Sequence, residues 1–169
     1  MSVGGTSVIM ARDKKSDPEA RDVCRNRRAF HEYEVSERLE CGLVLTGTEV
    51  KSLRVGQASI EEAYARLDDN ELWLINCDIP EYAMGNQMNH KPRRARKLLV
   101  HRREIANFAV KASVKGFTLI PLRLYFKEGR AKLEIAICRG KQLHDKRQDL
   151  KKKDADREIR RAMSDRRKR

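Results

Sequence analysis

Residues 118–138 read TLIPLRLYFKEGRAKLEIAIC, and this stretch decides the fold class. Leu133, Ile135 and Ile137 alternate with Lys132, Glu134 and Ala136, a period of two that sends successive side chains to opposite faces of a strand. Thr118 to Phe126 supplies the other arm, and Lys127-Glu128-Gly129-Arg130 between them is polar and turn-forming, so the segment reads as a β-hairpin. The same pattern recurs upstream. Residues 62–67 and 71–75 flank Asp68-Asp69-Asn70, a second hairpin with a tight turn. Residues 31–36 alternate and 41–45 form a short apolar run, and both read as strand. Trp73 sits among apolar neighbours on its strand and reads as core rather than as a stacking surface.

Helical signals are few. Thr46-Gly47-Thr48-Glu49 has the form of a capping box, and Gly56 closes the short helix it opens. Ile105, Phe108, Ala109 and Ala112 give residues 102–114 one apolar helical face, ended by Gly116. Residues 76–97, with Pro80, Gly85, Asn86, Asn89 and Pro92, read as a long connection. Several short strands, two hairpins and two short helices predict a mainly β domain built as a small antiparallel barrel over residues 26–138. Residues 1–25 mix Gly, Ser, Pro and charge without apolar periodicity and read as a flexible leader. Beyond residue 138, Leu143, Leu150, Ile159 and Met163 are too sparse to bury a face. Residues 139–169 are therefore expected to be a basic tail, disordered when free and helical when bound.

The chain carries 38 Lys+Arg against 25 Asp+Glu, a net charge of +13. That charge is segregated: +3 over residues 1–28, −8 over 29–90, +10 over 91–138 and +8 over 139–169. A basic second half favours a polyanionic partner. No apolar run approaches the ~18 residues of a membrane span, and no signal-peptide core is present, so a cytoplasmic protein with no membrane partner is expected. Cys24, Cys41, Cys77 and Cys138 lack paired ligand spacing and read as free thiols, so neither metal nor cofactor is expected. No nucleophile–base set, phosphate-cradling loop or His-Glu-x-x-His motif occurs, so the chain is not expected to be an enzyme.

The residues suited to RNA lie in three clusters. Asn26, Arg27, Arg28, His31 and Tyr33 bring amide, guanidinium, imidazole and phenol groups together; Arg27 and Arg28 are suited to phosphate, and His31 stays open between base contact and solvated arm. Arg93-Arg94-Ala95-Arg96-Lys97 reads as a phosphate clamp. Lys141 to Arg147 form a pointed cluster in the tail, where an RNA role and generic solubility remain equal readings.

Those segments carry a family resemblance. Asn26-Arg27-Arg28-Ala29-Phe30-His31-Glu32-Tyr33, Glu40-Cys41-Gly42, Gly47-Thr48-Glu49-Val50-Lys51-Ser52-Leu53-Arg54, Arg96-Lys97-Leu98-Leu99 and Arg139-Gly140-Lys141-Gln142-Leu143-His144-Asp145-Lys146-Arg147 resemble the motifs of the small protein B family, in order from about Asn26 to Met163. The resemblance implies an OB-like antiparallel barrel with about three helices, the third near residues 57–63. It implies a monomer that binds the tRNA-like domain of tmRNA (SsrA RNA) and takes alanyl-tmRNA, with elongation factor Tu, to the stalled 70S ribosome. It ties Asn26, Glu40 and Leu99 to tmRNA, with Arg27, Arg28, His31, Lys51, Arg54, Arg96 and Lys97 as further candidates. It sends the tail to small-subunit rRNA in the decoding centre through Gly140, Lys141, His144, Asp145, Lys146 and Arg147, with Ile159 and Met163 serving its accommodation. Glu40 keeps three readings: orienting an Arg, bonding a 2′-hydroxyl, or holding the fold.

Overall fold

The computed structural model describes residues 20–85, 89–112, 116–142 and Met163. Among the described residues the backbone is mainly β, with these elements in order: β1 (Arg21–Arg25), α1 (Arg27–Glu32), β2 (Tyr33–Leu43), α2 (Gly47–Arg54), β3 (Tyr64–Asp68), β4 (Glu71–Ile75), β5 (Arg96–Leu99), α3 (Arg102–Ala112), β6 (Phe117–Lys127) and β7 (Arg130–Gly140). Both hairpins fold where the pattern puts them. Each closes on two consecutive left-handed residues, Asp69 and Asn70 (φ 45° and 59°) and Glu128 and Gly129 (φ 50° and 73°). That geometry matches the right-handed twist of the flanking strands.

Among the described residues every strand pairing is antiparallel, and the pairings form a circuit: β2 with β5, β5 with β4, β4 with β3, β3 with β6, β6 with β7, and β7 back to β2. β1 adds to β6 outside that circuit. Inside it lies the main core, with Leu72 and Leu74 from β4, Leu98 from β5, Leu133, Ile135 and Ile137 from β7, Leu53 from α2 and Phe108 from α3. A second cluster sits on the outer face of β6 and β7, where Ala29 of α1 packs with Ile120, Leu122, Ala136 and Cys138. Pro121 falls beside a register shift in β6, where its missing N–H is tolerated.

Four expectations are corrected. Residues 21–25, assigned to the leader, form β1, because their partners lie on β6 at Arg123–Phe126. His31 and Glu32 belong to α1 rather than to a strand, because Asn26 caps a helix that runs to Glu32. Residues 57–63 form turns and an isolated bridge, Ser59 to Asp78, rather than the third helix. Trp73 is partly buried on the outer face of β4 rather than in the core, in register with Arg66 and Lys97, since Leu72 and Leu74 fill the inner face. The four cysteines are free; Cys41, Cys77 and Cys138 are buried and pack as small apolar groups. Burial pushes the Cys77 thiol up to about 11 and Cys24 up to about 12, which keeps both protonated.

Candidate nucleic-acid interface

The basic cluster does not present all its cations outward, because Arg96 is turned into the protein. On β5 the two-residue period turns Arg96 and Leu98 inward and Lys97 and Leu99 outward. Arg96 is 0 % exposed. Its Nε donates to Glu49 Oε1 at 2.9 Å, and its other nitrogens donate to the carbonyls of Cys77 (2.6 Å), Arg94 (3.0 Å) and Pro92 (2.8 Å). Glu49 is equally buried and also accepts from Arg94 at 2.5 and 2.7 Å and from the Thr46 backbone N–H at 2.7 Å, its half of the capping box. Burial alone would raise the Glu49 carboxyl, but the Arg94 and Thr46 hydrogen bonds and the Arg96 charge hold it below the usual carboxylate range. Lys97 pairs with Glu71, and Arg93 with Asp78 at 3.1 Å and Glu62 at 3.6 Å. The cluster is therefore a buried brace between α2, the long connection and β5, surrounded by paired surface cations. His90 reinforces it, bonded at 2.9 Å to both Thr48 Oγ1 and the Ile79 carbonyl.

Asn26 is also interior, at 2 % exposure. Its side-chain oxygen accepts the Ala29 N–H at 2.9 Å, its amide nitrogen donates to the Ile60 carbonyl at 3.2 Å, and its backbone N–H donates to the Leu122 carbonyl at 2.9 Å. It caps α1 and ties that helix to β6 and to the connection before β3. Asn26→Ala loses the cap and leaves a buried carbonyl without its donor, so it is expected to cost about 1–3 kcal/mol in urea unfolding. Arg27, Arg28 and His31 stand on the exposed side of the same helix, with Arg28 bonded to Glu32 at 2.7 Å. Lys51 and Arg54 are exposed on α2, Lys51 5.4 Å from the Tyr82 ring centre.

Glu40 and Leu99 meet on the outer face. Leu99, 53 % exposed, lies opposite Gly42 across β2 and β5, and a Cβ at Gly42 would come within 3.3 Å of the Leu99 Cβ. Both residues line one open groove of about 580 Å³, which Val50 of α2, His101, Arg130 and Lys132 also border. Glu40 accepts a hydrogen bond from the Tyr125 hydroxyl, with Lys132 Nζ 3.6 Å from its other oxygen. The Tyr125 bond, followed by the charges of Lys132 and Lys127, holds the Glu40 carboxyl below its ordinary value despite partial burial. Tyr125, Lys132 and Arg123 were not among the candidates. Beyond the register shift in β6, Arg123 and Tyr125 pair with Glu134 and Lys132 of β7 on the Glu40 face, and their sequence signal is alternation with Leu124 alone.

The tail begins as an ordered extension of the sheet. Gly140 pairs with Tyr33, the Lys141 N–H donates to the Glu32 carbonyl at 2.9 Å, and Lys141 Nζ donates to the Phe30 carbonyl at 3.0 Å. Lys141 thus satisfies carbonyls at the C-terminal end of α1. Met163 is 67 % exposed. His144, Asp145, Lys146, Arg147 and Ile159 lie outside the described residues, as does the expected disorder-to-helix change. Among the described residues no group of three or more His, Cys, Asp or Glu side chains could hold a metal ion, and no helix is long and apolar enough to cross a membrane.

The family model described as SmpB protein matches residues 23–165. An SsrA-binding protein of Thermobifida fusca is 52 % identical over 160 residues, covering 94 % of this chain and 100 % of its own. One from Desulforudis audaxviator is 53 % identical over 146 residues, covering 86 % and 95 %. A solved chain from "tmRNA-SmpB: a journey to the center of the bacterial ribosome" superposes with a TM-score of 0.61 at 46 % identity, covering 71 % of this chain and 85 % of that one.

Proposed function

Because the chain belongs to the SmpB family, we propose that it binds the tRNA-like domain of tmRNA through an OB-like barrel and takes it to stalled ribosomes. The observation that carries this reading is the meeting of Glu40 and Leu99 at one open groove beside the β6–β7 turn. The circuit of strand pairings supports the barrel. A rigid β surface suits recognition of RNA by shape, and the groove mixes an apolar patch with hydrogen-bonding groups. Arg27, Arg28 and His31 on α1 and Lys51 and Arg54 on α2 add exposed cationic or stacking groups from two helices. Asn26 acts through the fold, by holding α1. The protein acts as a monomer in the cytoplasm, carries alanyl-tmRNA together with elongation factor Tu, and catalyses nothing itself. Gly140 and Lys141 launch the tail toward the decoding centre, where His144 stacks, Lys146 and Arg147 hold rRNA phosphate, and Ile159 and Met163 serve accommodation in the mRNA channel.

Sequencing the RNA recovered with the protein from cells tests the partner: one dominant tmRNA species is expected, and a broad mixture would replace this reading with general RNA binding. Neutralisation of about 6–10 phosphates should lower tmRNA affinity roughly 10³–10⁵-fold between 50 and 200 mM salt. Arg54→Ala should reduce the log–log salt slope by about one with the fold intact. An unchanged slope would take Arg54 out of the interface.

A further inference from the structure

An acid on a surface that meets a polyanion is repelled by phosphate, so it is useful there only when aimed at a donor. Glu40 is built for such aim. Asp22 of β1 accepts an ion-paired hydrogen bond from Arg123 Nε on β6. The Arg123 guanidinium lies over the Tyr125 ring, 4.4 Å from its centre. Tyr125 is buried and donates its hydroxyl to Glu40 Oε2, while Lys132 of β7 stands 3.6 Å from Oε1. Tyr125 and Lys127 from β6 and Lys132 and Glu134 from β7 surround the carboxylate. A carboxylate offers about four acceptor positions. With one spent on Tyr125 and the side chain still 44 % exposed, acceptor positions remain toward the groove.

We propose that Tyr125, steadied by the Arg123–Asp22 pair, is a positioning residue that aims Glu40 at a hydrogen-bond donor of the RNA, either a 2′-hydroxyl or an exocyclic base amine. The inference rests on the reading that Glu40 meets tmRNA. It assigns the acid to readout of a donor and the neighbouring cations to phosphate.

The test uses the full chain and a transcript of the tRNA-like domain of tmRNA. Tyr125→Phe is expected to weaken binding roughly five- to tenfold. Glu40→Ala should weaken it at least as much, and the double variant no more than Glu40→Ala alone, because both changes remove one aimed contact. Additive losses would overturn the positioning role. If Glu40→Ala binds like the parent, the underlying reading that Glu40 meets tmRNA is wrong. Arg123→Gln keeps the Tyr125–Glu40 bond and should show a smaller loss, about threefold; no loss would remove Arg123 from the relay. In the free protein, NMR titration of the Glu40 carboxyl should move up toward the ordinary carboxylate range in Tyr125→Phe, and an unmoved titration would also count against positioning. Transcripts with 2′-deoxy substitutions and others lacking single exocyclic amines identify the donor: the effect of Glu40→Ala should vanish for one class. If it survives every substitution, the donor readout is wrong.

Discussion

Arg96→Ala is expected to lose about 3–5 kcal/mol of folding stability, the cost of stranding one member of a buried ion pair. The loss arises because Glu49 stays interior with only Arg94 to neutralise it, and because the carbonyls of Cys77, Arg94 and Pro92 lose their shared donor. Against a typical total of about 5–15 kcal/mol, that removes a large share of the stability. A urea midpoint lower by about 1–3 M would report it. Lys97→Ala, one residue along the same strand, should change the midpoint little, since its pair with Glu71 is about 40 % exposed on both sides. A stable Arg96→Ala protein that binds RNA weakly would place Arg96 in a phosphate clamp rather than a brace. Glu49 adds a pH signature. Its folded carboxyl titrates below the unfolded value, so its contribution is complete above about pH 4.3 and disappears as pH falls through the depressed folded value. Glu49→Gln should flatten that part of the stability–pH curve.

Truncation after Gln142 is expected to abolish peptide tagging on stalled ribosomes while tmRNA affinity stays within about threefold, or ~0.6 kcal/mol. The cut falls there because Gly140 and Lys141 belong to the fold: one completes the pairing with β2 and the other holds α1. Removing residues 143–169 takes His144, Lys146 and Arg147 and leaves the groove with Glu40 and Leu99 untouched. Parallel binding and tagging assays on one preparation decide the matter, and a joint loss would mean that groove and tail are not separate instruments. His144→Ala alone should lower tagging with binding preserved, if one stacked base is worth ~1–3 kcal/mol. Moving the cut back to Arg139 should add a small stability loss, because the Gly140–Tyr33 pairing and the Lys141 bonds to the Glu32 and Phe30 carbonyls are then removed.

Local signals in the sequence found local structure. The capping residues 46–49, the two hairpin turns and the apolar face of α3 each depend on neighbours a few positions away, and each folds as read. Long-range partners escaped. RDVCR has little alternation of its own and becomes β1 only because β6 lies beside it. Charge density at 93–97 could not reveal that Arg96 points inward, since its counter-ion is 47 positions earlier in the chain. Asn26 looked like a polar contact because an N-cap and an RNA ligand call for the same amide. Leu99 was nameable only by resemblance; its exposure follows from being one step out of phase with Leu98. Tyr125 was hidden by composition, an aromatic in an apolar strand whose hydroxyl bonds a residue 85 positions away.

The order in which the strands are made imposes a schedule on folding. The principal partner of β2, β7, follows it roughly 100 residues later, as does β6 for β1. At about 5–20 residues per second of synthesis, β2 waits on the order of 5–20 s for its neighbour. Non-local β folds commonly collapse in milliseconds to seconds, so translation rather than the folding barrier sets the time at which the circuit closes. During that interval an unpaired 11-residue strand is a template for association with other chains. Its outward positions, Glu34, Ser36, Arg38 and Glu40, carry charge or hydroxyl groups that resist such pairing. The residue proposed to read RNA in the finished protein thus has an earlier task, keeping a nascent strand single until the last one arrives.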